Sequence, residues 1–468
     1  MFALRSSALF PYHESTIRWL CENGHTVHIS VDPLWSKDAD EAAIWRVAGE
    51  HPNLTFGVMP TGRGRRKFLK QFLRELLGIH SYLVRNDQDG YYLRRQERYT
   101  FSKFPRRVSS ILRKSRIHRV MLRIPLVPKL LRIAERLFSA DQDVLAQIES
   151  KGANVIVATP CDMRYGDEIE YVKTARQLGL PSVIPVLSWD NLTTKGTIAV
   201  APDMLIAWNH GHAKEASIHH RIPERSVLAG GSPFFDKWFD DSVGVQSRED
   251  FCQTVALDPK RPYVLYLGSS VNISGDERWL IRELADVFAA DDQLSDFQIL
   301  ARPHGANMSG WGELTNGSNL VYWHRDRVLP DTPEGFREFK SAFEHSVCAL
   351  GVNTTALVDS IIYGKPTIGL GIGIYSETNA TNAVHYHHMM NSGALVHTIS
   401  TVEAASVVKR IQTGSDDSAA ARGALVNEWV RPNGLTLPAG MVAGMAIKML
   451  ADGSPVSSIK ATIEAMNK

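Results

Sequence analysis

Ile299-Leu300-Ala301-Arg302-Pro303-His304-Gly305 and, further along, Val347-Cys348-Ala349-Leu350-Gly351-Val352-Asn353-Thr354-Thr355-Ala356-Leu357-Val358-Asp359 decide how this chain folds. Each is a short apolar run that stops at small, polar or cationic residues, and the second then opens a helix. Continuous apolar runs of this length mark strands buried on both faces, as in parallel sheets. An open α/β sheet presents its ligand site at the carboxyl ends of strands and the amino ends of helices. Unpaired N–H groups and partial positive charge gather at helix amino ends, so an anion is the expected guest. The two turns together predict a site for an activated phosphate compound.

The same alternation extends in both directions. Phe2-Ala3-Leu4, His25–Val31, Leu54–Val58, Val155–Ala158, Ser182–Leu187, Met204–Trp208 and Ser226–Ala229 read as strands of a first parallel sheet. Gly230-Gly231-Ser232-Pro233 breaks the pattern, and it resumes at Tyr263–Gly268. A chain of 468 residues is too long for one core, so two domains are expected. The predicted layout is a Rossmann-like domain over 1–232 with a basic helical insertion at about 63–136, a linker over 233–262, and a second Rossmann-like domain over 263–437. A helical tail at 438–468 is expected to pack back on the first domain.

With 44% hydrophobic and 22% charged residues the composition is that of a soluble globular protein. No apolar run reaches the roughly 18–20 residues of a membrane span. His13, Glu14 and Arg18 interrupt the amino end too early for a signal peptide. Cys21, Cys161, Cys252 and Cys348 lie far apart with no CxxC pair, which points to reduced thiols in the cytosol.

The net charge of +2 hides an asymmetry. Arg63 to Arg136 holds 21 Lys/Arg against 5 Asp/Glu, a net +16, while the rest carries −14. Such a block calls for an anionic neighbour: a lipid surface, a nucleic acid or a polyanionic substrate. Phe68, Leu69, Phe72 and Leu76 share one helical face within it, and Ile111 to Phe138 is a second basic-apolar run. Either stretch suits a membrane interface or an insertion packed on the sheet. No nucleic-acid motif accompanies the block, so nucleic acid is not the expected partner.

Several turns carry candidate chemistry. Gly268, Ser269 and Ser270 end the strand that opens the second domain, where small residues let a phosphate or ribose approach the backbone. Arg302 and His304 flank a proline; a protonated His304 would stabilise a leaving pyrophosphate or act as an acid. Asn353, Thr354 and Thr355 supply caps and amides at a helix start, and Asp359 suits either a ribose hydroxyl or the helix's positive end. Gly369-Leu370-Gly371-Ile372-Gly373 fails the dinucleotide fingerprint spacing and reads as a loop of the same site, closing with Tyr375, Ser376 and Glu377. In the first domain, Ser188 to Gly196 packs Trp189, Asp190, Asn191 and Lys195 into one polar-aromatic loop suited to hydroxyls. His13 or Asp190 would serve as base for an incoming hydroxyl, with Glu14 and Asp162 as further candidates at strand ends. His219-His220 and His385-Tyr386-His387-His388 lack the spaced partners of a metal site, so no metal is expected.

Set together, these residues resemble the GT-B glycosyltransferases, two Rossmann-like domains facing a cleft. Gly24-His25-Thr26-Val27 resembles the second strand of many such enzymes. Pro303-His304, Asn353-Thr354-Thr355 and Gly364-Lys365-Pro366-Thr367 resemble motifs of the CDP-glycerol glycerophosphotransferase and capsule-polymer transferase group. That group usually carries an acidic residue before its Ser/Thr cluster, where this chain has Val352-Asn353. The resemblance implies a cytosolic glycosyltransferase, needing no cofactor beyond a nucleotide-sugar donor. Its acceptor would be a lipid-linked or polysaccharide hydroxyl at the inner face of an anionic membrane. The alternatives are a CDP-glycerol or CMP-sugar polymer transferase, a UDP-sugar 2-epimerase and, from another class, a nucleic-acid-binding protein.

Overall fold

The computed structural model describes all residues except 37, 61–64, 86–89, 162–165, 272, 306, 309–310, 312–318, 324–329, 331, 376–382 and 468, and leaves aside the side chains of 38–40 and 65–66. The chain divides into two compact units, Met1–Asp236 with Asn427–Lys468, and Lys237–Val426.

In the first unit β1 (Phe2–Leu4), β2 (Val27–Val31), β3 (Leu54–Val58), β4 (Ile156–Thr159), β5 (Ser182–Pro185), β6 (Met204–Ala207) and β7 (Val227–Ala229) form one parallel sheet in the order β3-β2-β1-β4-β5-β6-β7. This is the doubly wound arrangement that the alternating runs predict. Around it lie α1 (Glu14–Glu22), α2 (Asp38–Glu50), α3 (Arg65–Val84), α4 (Tyr91–Phe101), α5 (Arg106–Ser115), α6 (Ile117–Arg123), α7 (Leu126–Leu137), α8 (Gln142–Ser150), α9 (Glu168–Leu178), α10 (Asn191–Thr194) and α11 (His210–His220). Helix α1 buries Ile17, Leu20 and Cys21, an i, i+3, i+4 face, and ends where Gly24 takes φ +79°.

Helices α3 to α7 are the basic insertion. They build a small core of their own from Ile79, Phe101 and Leu122, with Phe72, Leu76 and Phe104 against it. Much of the cationic charge on α3 is spent inside the unit: Lys70 meets Glu170 at 2.9 Å and Arg74 meets Glu135 at 2.7 Å. Lys173 reaches Glu135 at 3.2 Å, and Lys67 pairs with Asp167. Opposite charges at these distances hold α3 to α9, so α3 is a packed element of the fold.

In the second unit β8 (Tyr263–Leu267), β9 (Gln298–Arg302), β10 (Leu320–Tyr322), β11 (Ala349–Gly351), β12 (Thr367–Leu370) and β13 (Val396–Thr398) form a parallel sheet in the order β10-β9-β8-β11-β12-β13. Helices α12 (Arg248–Val255), α13 (Arg278–Ala289), α14 (Pro333–His345), α15 (Ala356–Ile362), α16 (Val384–Asn391), α17 (Thr401–Gln412) and α18 (Ala419–Leu425) accompany it. Its core joins Val264, Tyr266, Ile299 and Leu350 to Leu280, Leu284 and Phe288 of α13.

The chain then rejoins the first unit with α19 (Ala439–Ala451) and α20 (Val456–Met466). Asp236 accepts the N–H groups of Ala439 at 2.9 Å and Gly440 at 2.7 Å, together with the guanidinium of Arg431 at 2.7 Å. A carboxylate on the unpaired amides of a helix start is favourable in both hydrogen bonding and dipole. Helix α19 lies so close to α1 that a Cβ on Gly440 would sit 2.7 Å from the backbone carbon of Ser15. Gly440→Val is therefore expected to cost about 2–3 kcal/mol, since the clash is with backbone. Urea unfolding checks it; a loss below about 0.5 kcal/mol would remove the close-contact account.

All four cysteines are buried free thiols. Among the described residues no helix is long and apolar enough to cross a membrane.

Candidate functional site

In the second unit the chain passes from β8 outward to β9 and β10, then returns to β11 on the other side of β8. In open α/β sheets such a reversal is where the binding crevice forms, which here falls beyond the carboxyl ends of β8 and β11. Register places Arg302 beside Leu267, Leu267 beside Gly351, and Gly351 beside Gly369. The turns after these four residues are the ones singled out in the sequence: Pro303-His304, Gly268-Ser269-Ser270, Asn353-Thr354-Thr355 and Leu370-Gly371. Two glycines let the strand ends close up. A Cβ on Gly268 would lie 2.9 Å from the Trp311 ring and 3.1 Å from the Arg302 carbonyl, and one on Gly351 would lie 2.8 Å from the Leu267 carbonyl.

A buried carboxylate holds the β8 turn. Glu277, fully buried at the start of α13, accepts the Ser269 N–H at 3.0 Å, the Tyr266 hydroxyl at 2.9 Å and the Ser274 hydroxyl. Burial pushes its pKa up, and these donors pull it back. Asn307 donates to the carbonyls of Ser269 and Ser274, each at 3.0 Å. The Ser269 hydroxyl accepts the Asn353 N–H across the reversal at 3.4 Å. Neither Glu277 nor Asn307 was a sequence candidate. A carboxylate or amide after a Ser-rich turn looks like solvated surface until the sheet closes over it.

Among the described residues, no hydrogen bond within the chain uses the backbone N–H of Ser270, Thr354 or Thr355. Thr355 precedes α15 without a side-chain cap, and α15 has only 7 residues, so its own dipole contributes little. Open amides and nearby cations, rather than a long helix, are what these turns offer an anion.

Arg302 lies with its guanidinium 4.3 Å from the Phe339 ring centre and 5.3 Å from that of Trp323. Burial raises the pKa of Glu338 and Asp359 and lowers that of His304; the Arg302 charge opposes the rise at the two carboxyls and adds to the fall at His304. Burial is the larger cause at His304, and both effects favour the neutral imidazole. The cationic His304 expected from sequence therefore needs an anion beside it to exist near pH 7.

Asp359 is buried and accepts the Trp238 indole N–H at 2.7 Å. Burial raises its pKa to about 6 against the pull of Lys237, Trp238 and Arg302. Trp238 in turn packs on Phe336 and Phe343, so one oxygen of Asp359 is occupied within an aromatic cluster. Gly369 and Gly371 make room for neighbours: side chains there would meet the Tyr386 hydroxyl at 2.6 Å and His397 Nε2 at 2.3 Å. Tyr375 stacks on Trp279 and donates to the Asp276 carbonyl. Ser376 and Glu377 lie outside the described residues.

In the first unit the polar density of Ser188–Gly196 is largely turned inward. Asn191 Oδ1 accepts the Ser188 N–H at 2.6 Å, and Trp189 and Asn191 are buried. Asp190 accepts the Thr194 hydroxyl at 2.9 Å and meets Lys195 at 3.0 Å; these two side chains are the more exposed. The insertion fastens this loop, which sequence reasoning missed. Arg85 donates to the Thr193 carbonyl at 2.6 Å, and the Tyr82 hydroxyl accepts the Gly196 N–H at 2.9 Å. His220 accepts from Ile198 N–H at 2.9 Å through Nδ1 and lies 2.8 Å from the Leu192 carbonyl through Nε2, which fixes a neutral tautomer.

His13 is buried against Phe2, its Nε2 has no hydrogen-bond partner, and burial lowers its pKa to about 3. It is neutral at pH 7 and weakly basic. Glu14 is held by Arg18 and Arg46, each at 3.0 Å. Asp162 lies outside the described residues. After β1 the structure instead places Arg5 against Glu168 at 2.5 Å, a buried pair that also takes the Cys161 N–H at 3.1 Å.

The sequence matches no family model and no curated protein. The fold has clear counterparts. The chain is similar to a Listeria monocytogenes protein assigned as a UDP-N-acetylglucosamine 2-epimerase, at TM-score 0.53 and 9% identity over 97% of this chain and 96% of that one. It is equally similar to S. aureus MnaA, solved with UDP, at TM-score 0.51 and 10% identity over 96% of both chains. A glycosyltransferase from Rickettsia africae gives TM-score 0.51 and 10% identity over 98% of this chain and 97% of that one. The protein has their two-domain, Rossmann-like fold, the GT-B architecture that its residues resemble.

Proposed function

We propose that this protein is a metal-independent glycosyltransferase that moves a sugar from a nucleotide donor to an acceptor hydroxyl. The observation that carries the reading is the crevice at the β8/β11 reversal, where Gly268, Ser269, Ser270, Asn353, Thr354 and Thr355 surround open amides next to Arg302 and His304. The donor's phosphates would lie against those amides and its ribose near Asp359. His304, protonated once the diphosphate is beside it, would stabilise the leaving group. The first unit would take the acceptor, a lipid-linked or polysaccharide hydroxyl at the inner face of the membrane. Asp190 and Lys195 offer their polar ends to it, with Asp190 a better-placed base than the apolar-bound His13. Trp189 and Asn191 would shape the loop from within.

The likeness to 2-epimerase structures supports a second reading, since epimerase and transferase counterparts share the same fold at the same similarity. A thermal-shift screen with UDP-, GDP-, CMP- and CDP-linked compounds tests the shared part. A ligand at 100 times its Kd is expected to stabilise the protein by about 2.7 kcal/mol. Incubation of the donor without acceptor then separates the readings. Unchanged donor supports transfer, an epimerised sugar replaces it with epimerisation, and no stabilisation by any compound sinks both.

A further inference from the structure

Helices α5 to α7 carry an apolar face that stays exposed among the described residues. Along α7, Leu126, Leu130, Ile133 and Leu137 recur at i, i+4, i+7 and i+11 and form one stripe, 60%, 52%, 49% and 80% exposed. Ile117 and Val120 of α6 are also exposed. The buried side of α7 is occupied separately, by Pro128 and Glu135. Ten Lys/Arg and one Asp/Glu lie between Arg106 and Leu137.

Beside the stripe, α7 borders a cavity of about 790 Å³ within the first unit. Arg132 and Arg136 reach it from α7, Arg176 from the end of α9, and Arg221 from the turn after α11. By chain order these last two precede β5 and β7, so the cavity belongs to the amino ends of those strands. Its wall shares His220 with the Ser188–Gly196 loop, whose Leu192 carbonyl that ring meets, but its four arginines belong to no strand-end turn. Burial and the adjacent charges of Arg221 and Arg136 hold Arg132 below the ordinary arginine range. Arg132 donates to the Pro128 carbonyl and Arg176 to the Ala201 carbonyl, and among the described residues no carboxylate pairs with any of the four. The lining carboxylate Glu135 is engaged by Arg74 and Lys173. Clustered guanidinium groups without a counter-ion repel one another, and a phosphate relieves that repulsion.

We propose that the apolar stripe of α7 lies in the interface of an anionic membrane while the Arg132–Arg136–Arg176–Arg221 cavity holds the phosphate of a lipid headgroup. The pairing of features selects this occupant. A second copy would bring ten further cations against the first ten. A nucleic acid would leave the exposed leucines in water. A lipid answers both the apolar stripe and the charge. The inference shares its membrane setting with the proposed function but needs no transfer reaction, and vesicle binding reads it separately from catalysis.

The test is flotation of the full chain with phosphatidylcholine vesicles, with and without phosphatidylglycerol. Wild type is expected to float with the anionic vesicles at least about tenfold better. Arg132→Gln/Arg136→Gln and Leu130→Glu/Ile133→Glu should each lose about tenfold or more, with the unfolding midpoint unchanged because these side chains are exposed or half-exposed. Equal binding to both vesicle types, or either double variant binding like wild type, overturns the proposal. Release from vesicles by millimolar inorganic phosphate would assign the cavity to a free anion instead. A dimer by light scattering that Leu130→Glu dissolves would assign the stripe to a second copy. Preferential binding of duplex RNA would assign the face to nucleic acid.

Discussion

His304→Ala is expected to lower turnover about 100-fold while changing donor affinity by less than about threefold, because the group matters most when charge develops on the leaving diphosphate. The asymmetry follows from its surroundings. Burial and the charge of Arg302 keep the free imidazole neutral, so little is lost from ground-state binding when it is removed. In the proposed transfer, negative charge developing beside the ring as the bond to the sugar breaks would raise its pKa, and the imidazolium would form where it is needed. Steady-state turnover and calorimetric donor affinity, measured on the same preparations, check both halves. Full turnover in His304→Ala with donor bound would remove His304 from the mechanism.

The second large effect concerns stability. Glu277→Ala should destabilise the second unit by about 3–5 kcal/mol, since each buried donor left without its acceptor costs about 1–3 kcal/mol. Three donors depend on that carboxylate: the Ser269 N–H, the Tyr266 hydroxyl and the Ser274 hydroxyl. Glu277→Gln, which keeps one acceptor oxygen, should lose roughly half as much. Denaturant unfolding of the two variants gives the comparison, and a loss under about 1 kcal/mol for the alanine would mean that water replaces the carboxylate. Donor binding is expected to weaken in step with the Ser269 turn.

The sheets were legible because strands covered on both faces must be apolar throughout, and Val264–Leu267, Ile299–Ala301 and Ala349–Leu350 are. The turns at their ends were legible too, since Gly, Pro, Asn and Thr stand out where an apolar run stops. What those turns do was harder to see. Arg302 reads as a phosphate ligand, yet its guanidinium rests on Phe339, a residue of a helix later in the chain. Asp359 reads as a ribose partner, yet its carboxylate bonds Trp238, 121 residues earlier. Periodicity carries no information about such pairings. The basic block shows the same limit. Its composition announces charge, but whether α3 or α7 is the exposed element depends on buried acids, Glu135, Asp167 and Glu170, of which only Glu135 lies within the block.

The bond between Asp236 and the start of α19 has a consequence for the order in which the protein is made. Residues 237–426 form a complete unit and emerge together, so that unit can finish folding during synthesis. The first unit must wait longer. Its sheet appears first, but α1 keeps an apolar face uncovered until residues 439–451 arrive to lie on Ser15 and Trp19. The half begun earliest is the half completed last, and in the interval a nascent chain carries an open core that a chaperone would have reason to shield.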